Sequence, residues 1–173
     1  MRAFVRELAR AEIGTTFNQY TESADLRARL HAYLDERRSA RILLVGEAAG
    51  YRGARVSGLA FTSERQLTGR GPGEATATIV QRVLSELGAQ RDVVLWNLVP
   101  THPHLPGRPH SNRRPTRDEV EAAQPFLQRL SRGRRIVPIG RLAQAELGGP
   151  YVRHPSHGGA KEFRTALLQL LGA

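Results

Sequence analysis

Arg41-Ile42-Leu43-Leu44-Val45-Gly46-Glu47-Ala48-Ala49-Gly50 decides how the chain folds. Its apolar run is continuous rather than alternating. That is the pattern of a strand buried on both faces of a parallel sheet, and it stops at Gly46. Working outward, Asp92 to Trp96 reads as a second strand, Ile136 to Ile139 as a third and Tyr151-Val152 as a fourth. Helices are expected over 2–11, 24–37, 74–87, from Thr116 onward, through Leu147 and over 160–171. Gly88 stops the third of these. Thr116 and Glu119 form a capping box, and Pro125 should bend or shorten the helix that they start. Residues 46–73 read as a glycine-rich loop, and 99–116 as a loop too long to be a mere connector.

Strands and helices alternate, so parallel βαβ units are expected. The predicted fold is a three-layer α/β/α domain spanning residues 1–173, with a central four-stranded parallel sheet. Sites in such sheets lie at the carboxyl ends of strands. Three ends carry polar candidates: Gly46-Glu47, Asn97 and His154. The last opens Val152-Arg153-His154-Pro155-Ser156-His157-Gly158-Gly159, where the paired glycines let backbone approach another molecule closely.

The 173 residues suit one domain with one core. Formal charge is +10, from 26 basic and 16 acidic residues, which points to a polyanionic partner. Lys161 is the only lysine, so 25 of the basic residues are arginine. Absence of cysteine excludes disulfides, zinc–thiolate sites and cysteine-ligated clusters. No apolar run reaches membrane-spanning length, and Met1-Arg2-Ala3-Phe4-Val5-Arg6 lacks the apolar stretch of a signal peptide. The expectation is a cytoplasmic, monomeric protein with no membrane association. A nucleotide-binding reading lacks its motifs, because neither a P-loop ending nor Gly-x-Gly-x-x-Gly is present.

In order and spacing, these segments resemble the uracil-DNA glycosylase superfamily over roughly residues 40–171. Gly46-Glu47-Ala48-Ala49-Gly50 is similar to a first motif that usually reads Gly-Glu-Ala-Pro-Gly in bacterial and archaeal branches. Leu95-Trp96-Asn97-Leu98-Val99-Pro100 resembles the asparagine-bearing strand, and His154-Pro155-Ser156 the last motif. The resemblance implies removal of uracil, or a related deaminated or C5-substituted base, from DNA at the start of base excision repair. An alternative is a member that binds uracil or abasic DNA without turnover, or that traps the abasic sugar covalently. The branch carrying an iron–sulfur cluster is excluded, and no metal, nucleotide cofactor or cluster is needed.

Residue by residue, the resemblance assigns catalysis to Glu47 and His154. Gly46, Ala48, Gly50, Phe61 and Asn97 would bind the flipped base. Phe61 is the stacking platform, and Asn97 reads the N3–H and O4 edge. His154 donates to O2 as charge builds there. Glu47 orients water, or else accepts from loop N–H groups as a structural residue. Arg52, Arg113, Arg114, Ser156, His157, Gly158 and Gly159 would contact DNA, with His157 as wedge. His102, His104, Arg108 and His110 belong to the same basic loop along the phosphates. Three departures stand out. Ala49 replaces proline, Ala48 stands where some relatives carry aspartate, and Gly50 stands where the strictest uracil-specific relatives place tyrosine. The pocket would then tolerate substituents at C5, with Tyr51 as partial compensation.

Overall fold

A computed structural model of the protein describes residues 1–171. The central apolar run forms β1, Ile42–Ala48, which carries Gly46 and Glu47 inside the strand. β2 spans Val93–Val99 and β3 Arg135–Pro138. Both pair with β1 in parallel, giving the order β2-β1-β3. The register sets Gly46 beside Asn97. Leu43, Leu44 and Val45 are buried, and so is all of β2. Successive side chains point to opposite faces, so this burial requires cover on both.

Helices supply that cover: α1 Arg2–Arg10, α2 Ala24–Glu36, α3 Ala54–Ser57, α4 Glu64–Thr68, α5 Ala75–Glu86, α6 Arg117–Ser131, α7 Arg141–Leu147 and α8 Ala160–Leu171. α6 lies along β2, and α7 packs against β3 and β1. Phe4 of α1 ties that helix into the core, 5.8 Å from the Trp96 ring and 5.6 Å from Phe126. β2 is an edge strand, and the Leu95 N–H donates to the buried Tyr33 hydroxyl at 2.7 Å. A side chain there satisfies a group that an open edge would leave free.

The sheet has three strands, not the expected four. Tyr151-Val152 contributes one parallel bridge, Val152 to Ile139, beside β3. The Gly140 N–H donates to Val152 O at 2.8 Å and the Val152 N–H to Pro138 O at 3.3 Å. Pro150 and Pro155 bracket the segment and have no N–H to extend a ladder. The stretch 46–73 is also not one loop. It holds the end of β1 and the short helices α3 and α4, which Gly58 and Gly69 terminate in the left-handed conformation. Thr116 and Glu119 form the expected capping box. α6 runs across Pro125 without shortening. That proline is exposed, so the carbonyl freed at Glu121 can turn to water.

Candidate active site

Gly46 is the point about which the site is built. A Cβ there would lie 2.4 Å from Phe61 Cζ and 2.9 Å from Asn97 Oδ1. Only a residue without a side chain lets that ring and that carboxamide meet above β1. Asn97 is 5% exposed, yet its carboxamide makes no hydrogen bond to protein among the described residues. Phe61 has φ +50°, a left-handed backbone that costs a bulky residue about 1–3 kcal/mol. Neighbours hold it there. Gln81 Nε2 donates to Phe61 O at 3.1 Å and to Thr62 Oγ1 at 2.9 Å, and Ser57 Oγ donates to Thr62 O at 2.6 Å. Phe61 is therefore both a core residue and a wall of the site.

The His154 ring centroid lies 6.3 Å from that of Phe61. Phe61, Asn97 and His154 line one cavity of about 460 Å³, together with Ala48, Gly50, Tyr51 and Arg52. A Cβ on Gly50 would meet nothing within 4 Å, so this wall is open. The Ser156 N–H donates to His154 Nδ1 at 3.3 Å, and Ser156 Oγ lies 2.7 Å from the same nitrogen. A backbone N–H can only donate, so Nδ1 is the acceptor and Nε2 carries the proton. Burial, then the neighbouring His157, holds the imidazole below the usual histidine range. The ring is neutral near pH 7 with Nε2–H as its donor.

Glu47 and His154 both line an adjoining cavity of about 370 Å³, with Arg114, Arg141 and Ser156. Burial pushes the Glu47 carboxyl above the usual carboxylate range, and the Arg114 charge opposes that shift. Ala48, Gly50, Asn112 and His154 border both cavities, so the two are contiguous. A larger depression of about 620 Å³ lies at α1 and α2, lined by Arg6, Arg10, Glu12 and Arg27. No strand end reaches it, so the chemistry belongs to the smaller pair.

The residues expected on DNA divide into two groups. Arg52, Arg114, His157 and Gly158 are exposed at the rim. His157 has φ +52°, and its Nδ1 lies 3.0 Å from Ser156 Oγ. Arg113 departs from the expectation. Its five donors go to His104 O, Arg114 O, Thr15 Oγ1 and both oxygens of buried Glu119, with Nη2 2.6 Å from Oε1. It clamps the loop instead of facing a phosphate. His102 departs in the same way. It is fully buried, its Nδ1 donates to Ala49 O at 2.7 Å, and burial lowers its pKa. Gly159 is buried, and a Cβ there would lie 2.2 Å from His154 O, so it seats the histidine. Ala49 explains its own departure from proline. Its N–H donates to Val99 O at 3.2 Å, a bond that proline lacks.

Arg141 and Asn112 are among the lining residues that escaped sequence reasoning. Arg141 follows Gly140 just past β3, so the strand-end argument, applied to the third strand, would have found it. Asn112 borders both cavities and accepts from the Tyr51 N–H at 2.8 Å. It sits in a loop read only for its basic residues, and no local signal separates it from a turn asparagine.

A model of the Uracil DNA glycosylase superfamily matches residues 33–169. The chain belongs to that superfamily. Among solved structures, it is similar to the wild-type SMUG2 protein of Pedobacter heparinus. The TM-score is 0.69 and identity 12%, over 98% of this chain and 99% of that one, which is a likeness of fold. A comparison with curated proteins finds no match.

Proposed function

We propose that the protein is a DNA glycosylase that flips uracil out of DNA and hydrolyses its glycosidic bond, leaving an abasic site for base excision repair. One observation carries this reading: the Asn97 carboxamide, nearly buried and unpartnered, faces the cavity walled by Phe61 and His154. Among the described residues no protein group competes for this carboxamide, so it is free for a ligand, and a ligand that covers it without pairing it would cost about 1–3 kcal/mol. Uracil presents N3–H and O4 side by side. Asn97 Oδ1 accepts from the first and Nδ2 donates to the second. Cytosine offers the reverse pattern, which the carboxamide in this orientation leaves unpaired.

Bond cleavage sends charge into the ring, mostly onto O2. The Nε2–H of neutral His154 meets that charge, and a donor of this kind is worth about 10²–10³ in rate. Its Nδ1 is already engaged by Ser156, which fixes the ring's orientation. Glu47, in the adjoining cavity, orients the attacking water and opposes the positive charge on the sugar. Arg114 and Arg52 at the rim take phosphates. The open wall at Gly50 admits a C5 substituent.

Oligonucleotides carrying uracil, 5-hydroxymethyluracil, thymine or hypoxanthine, treated with protein and then alkali, test this reading. Alkali-labile sites are expected at uracil, with 5-hydroxymethyluracil also accepted. No strand cleavage at uracil above background, in single or double strands, would reject the activity. A species that survives denaturation without base release would replace turnover by covalent trapping.

A further inference from the structure

Residues 105–110 are exposed one after another, yet they are firmly held. Leu105-Pro106-Gly107-Arg108 closes as a turn in which the Arg108 N–H donates to Leu105 O at 2.9 Å and Gly107 has φ +68°. Proline followed by a left-handed glycine is the pair that a type II turn selects. The Leu105 N–H donates to Ser111 Oγ at 2.9 Å, and that hydroxyl donates to Arg108 O at 2.8 Å. At its base, Arg113 Nε donates to His104 O at 2.8 Å while buried Glu119 grips the same guanidinium. The turn is a preorganised projection, so little ordering entropy is lost when something binds it.

Its setting is specific. Pro103 and Asn112, below the turn, line the Glu47–His154 cavity. His110 lines the Phe61–Asn97 cavity, with its ring 4.9 Å from that of Tyr51. Residues 99–117 contain no carboxylate, whereas Arg108 and Arg114 are exposed there, so the surroundings suit a polyanion. At this cationic rim Leu105 is 40% exposed. A single exposed leucine on an ordinary surface needs no explanation. One fixed on a rigid turn whose neighbours Pro103, His110 and Asn112 line two joined cavities stands beside the approach to the site.

We propose that this turn is a wedge for duplex DNA, with Leu105 packing into the base step beside the extruded nucleotide and Arg108 on the flanking phosphates. The proposal rests on the glycosylase reading and adds a second wedge to the one expected at His157. Apolar side chains inserted between base steps offset the loss of stacking that flipping requires. A single strand has no paired step to open, so Leu105 matters for paired sites alone.

The test uses the full chain and 2-aminopurine placed beside a tetrahydrofuran abasic-site analogue, in duplex and in single strand. Wild-type protein should raise the duplex fluorescence by unstacking the probe. Leu105→Ala should weaken duplex binding about tenfold and leave single-strand binding within twofold, while Leu105→Met keeps the wild-type duplex value. No rise with wild-type protein, no change with Leu105→Ala, or equal loss on both substrates would overturn the proposal. Thermal melting confirms that the variants fold. The signal needs no bond cleavage, so a failure of uracil excision is read separately from a failure of the wedge.

Discussion

Glu47 is held where its charge is disfavoured. Burial raises its pKa in the folded protein above the unfolded value, so the fold binds that proton more tightly. The contribution to stability is present below the unfolded carboxylate pKa and is lost as pH rises through the folded one. At neutral pH the ionised side chain therefore costs stability. Glu47→Gln should raise the melting temperature at pH 7, with the gain vanishing toward pH 4, while lowering uracil excision about a hundredfold. Melting curves across pH and single-turnover rates check both halves. A lower melting temperature with unchanged rate would make Glu47 a structural acceptor. Asn97 and His154 were legible from sequence because each residue's chemistry is unusual at the end of an apolar strand. Arg113 was not. Its partners Thr15 and Glu119 are brought to it by the fold, and an arginine in a basic loop looks the same whether it meets a phosphate or a buried carboxylate.

At the scale of elements, the strands that announced themselves were those with continuous apolar runs, β1 above all. Tyr151-Val152 has the composition of a strand, but only four residues separate Pro150 from Pro155, and it yields a bridge. α4 escaped although Ser63 and Gln66 spell a capping box, because the glycines around it dominated the reading of 46–73. The loop after that bridge has a structural part of its own. Gly159 packs against the carbonyl of His154, and its own carbonyl accepts from the Phe163 N–H at 2.9 Å, so α8 and the histidine share one support. Gly159→Ala must move the His154 backbone. Excision should fall at least about tenfold, since small misplacements of a catalytic group are costly. Abasic-analogue DNA affinity, measured by fluorescence anisotropy, should change by less than threefold. Loss of affinity with an intact rate would return Gly159 to a direct role on DNA.

For the molecule as a whole, the sheet explains why distant residues converge. Gly46 and Asn97 meet through strand register, Phe61 through a strained loop braced by α5, and His154 through the bridge beside β3. The net charge of +10 is distributed so that some arginines hold loops together, as Arg113 does, while Arg52 and Arg114 stay exposed at the rim. Composition gives the sum and not this division, which depends on tertiary partners. The central claim is that an aromatic face, a carboxamide and a neutral imidazole act together on one extruded base. Its most direct measurement is the single-turnover release of uracil from a single-stranded oligonucleotide by wild-type protein and His154→Ala, with affinity for the same strand measured in parallel. The account predicts a rate at least about a hundredfold lower in the variant, with affinity nearly unchanged. Equal rates, or lost affinity with the bond-breaking rate preserved, would contradict it.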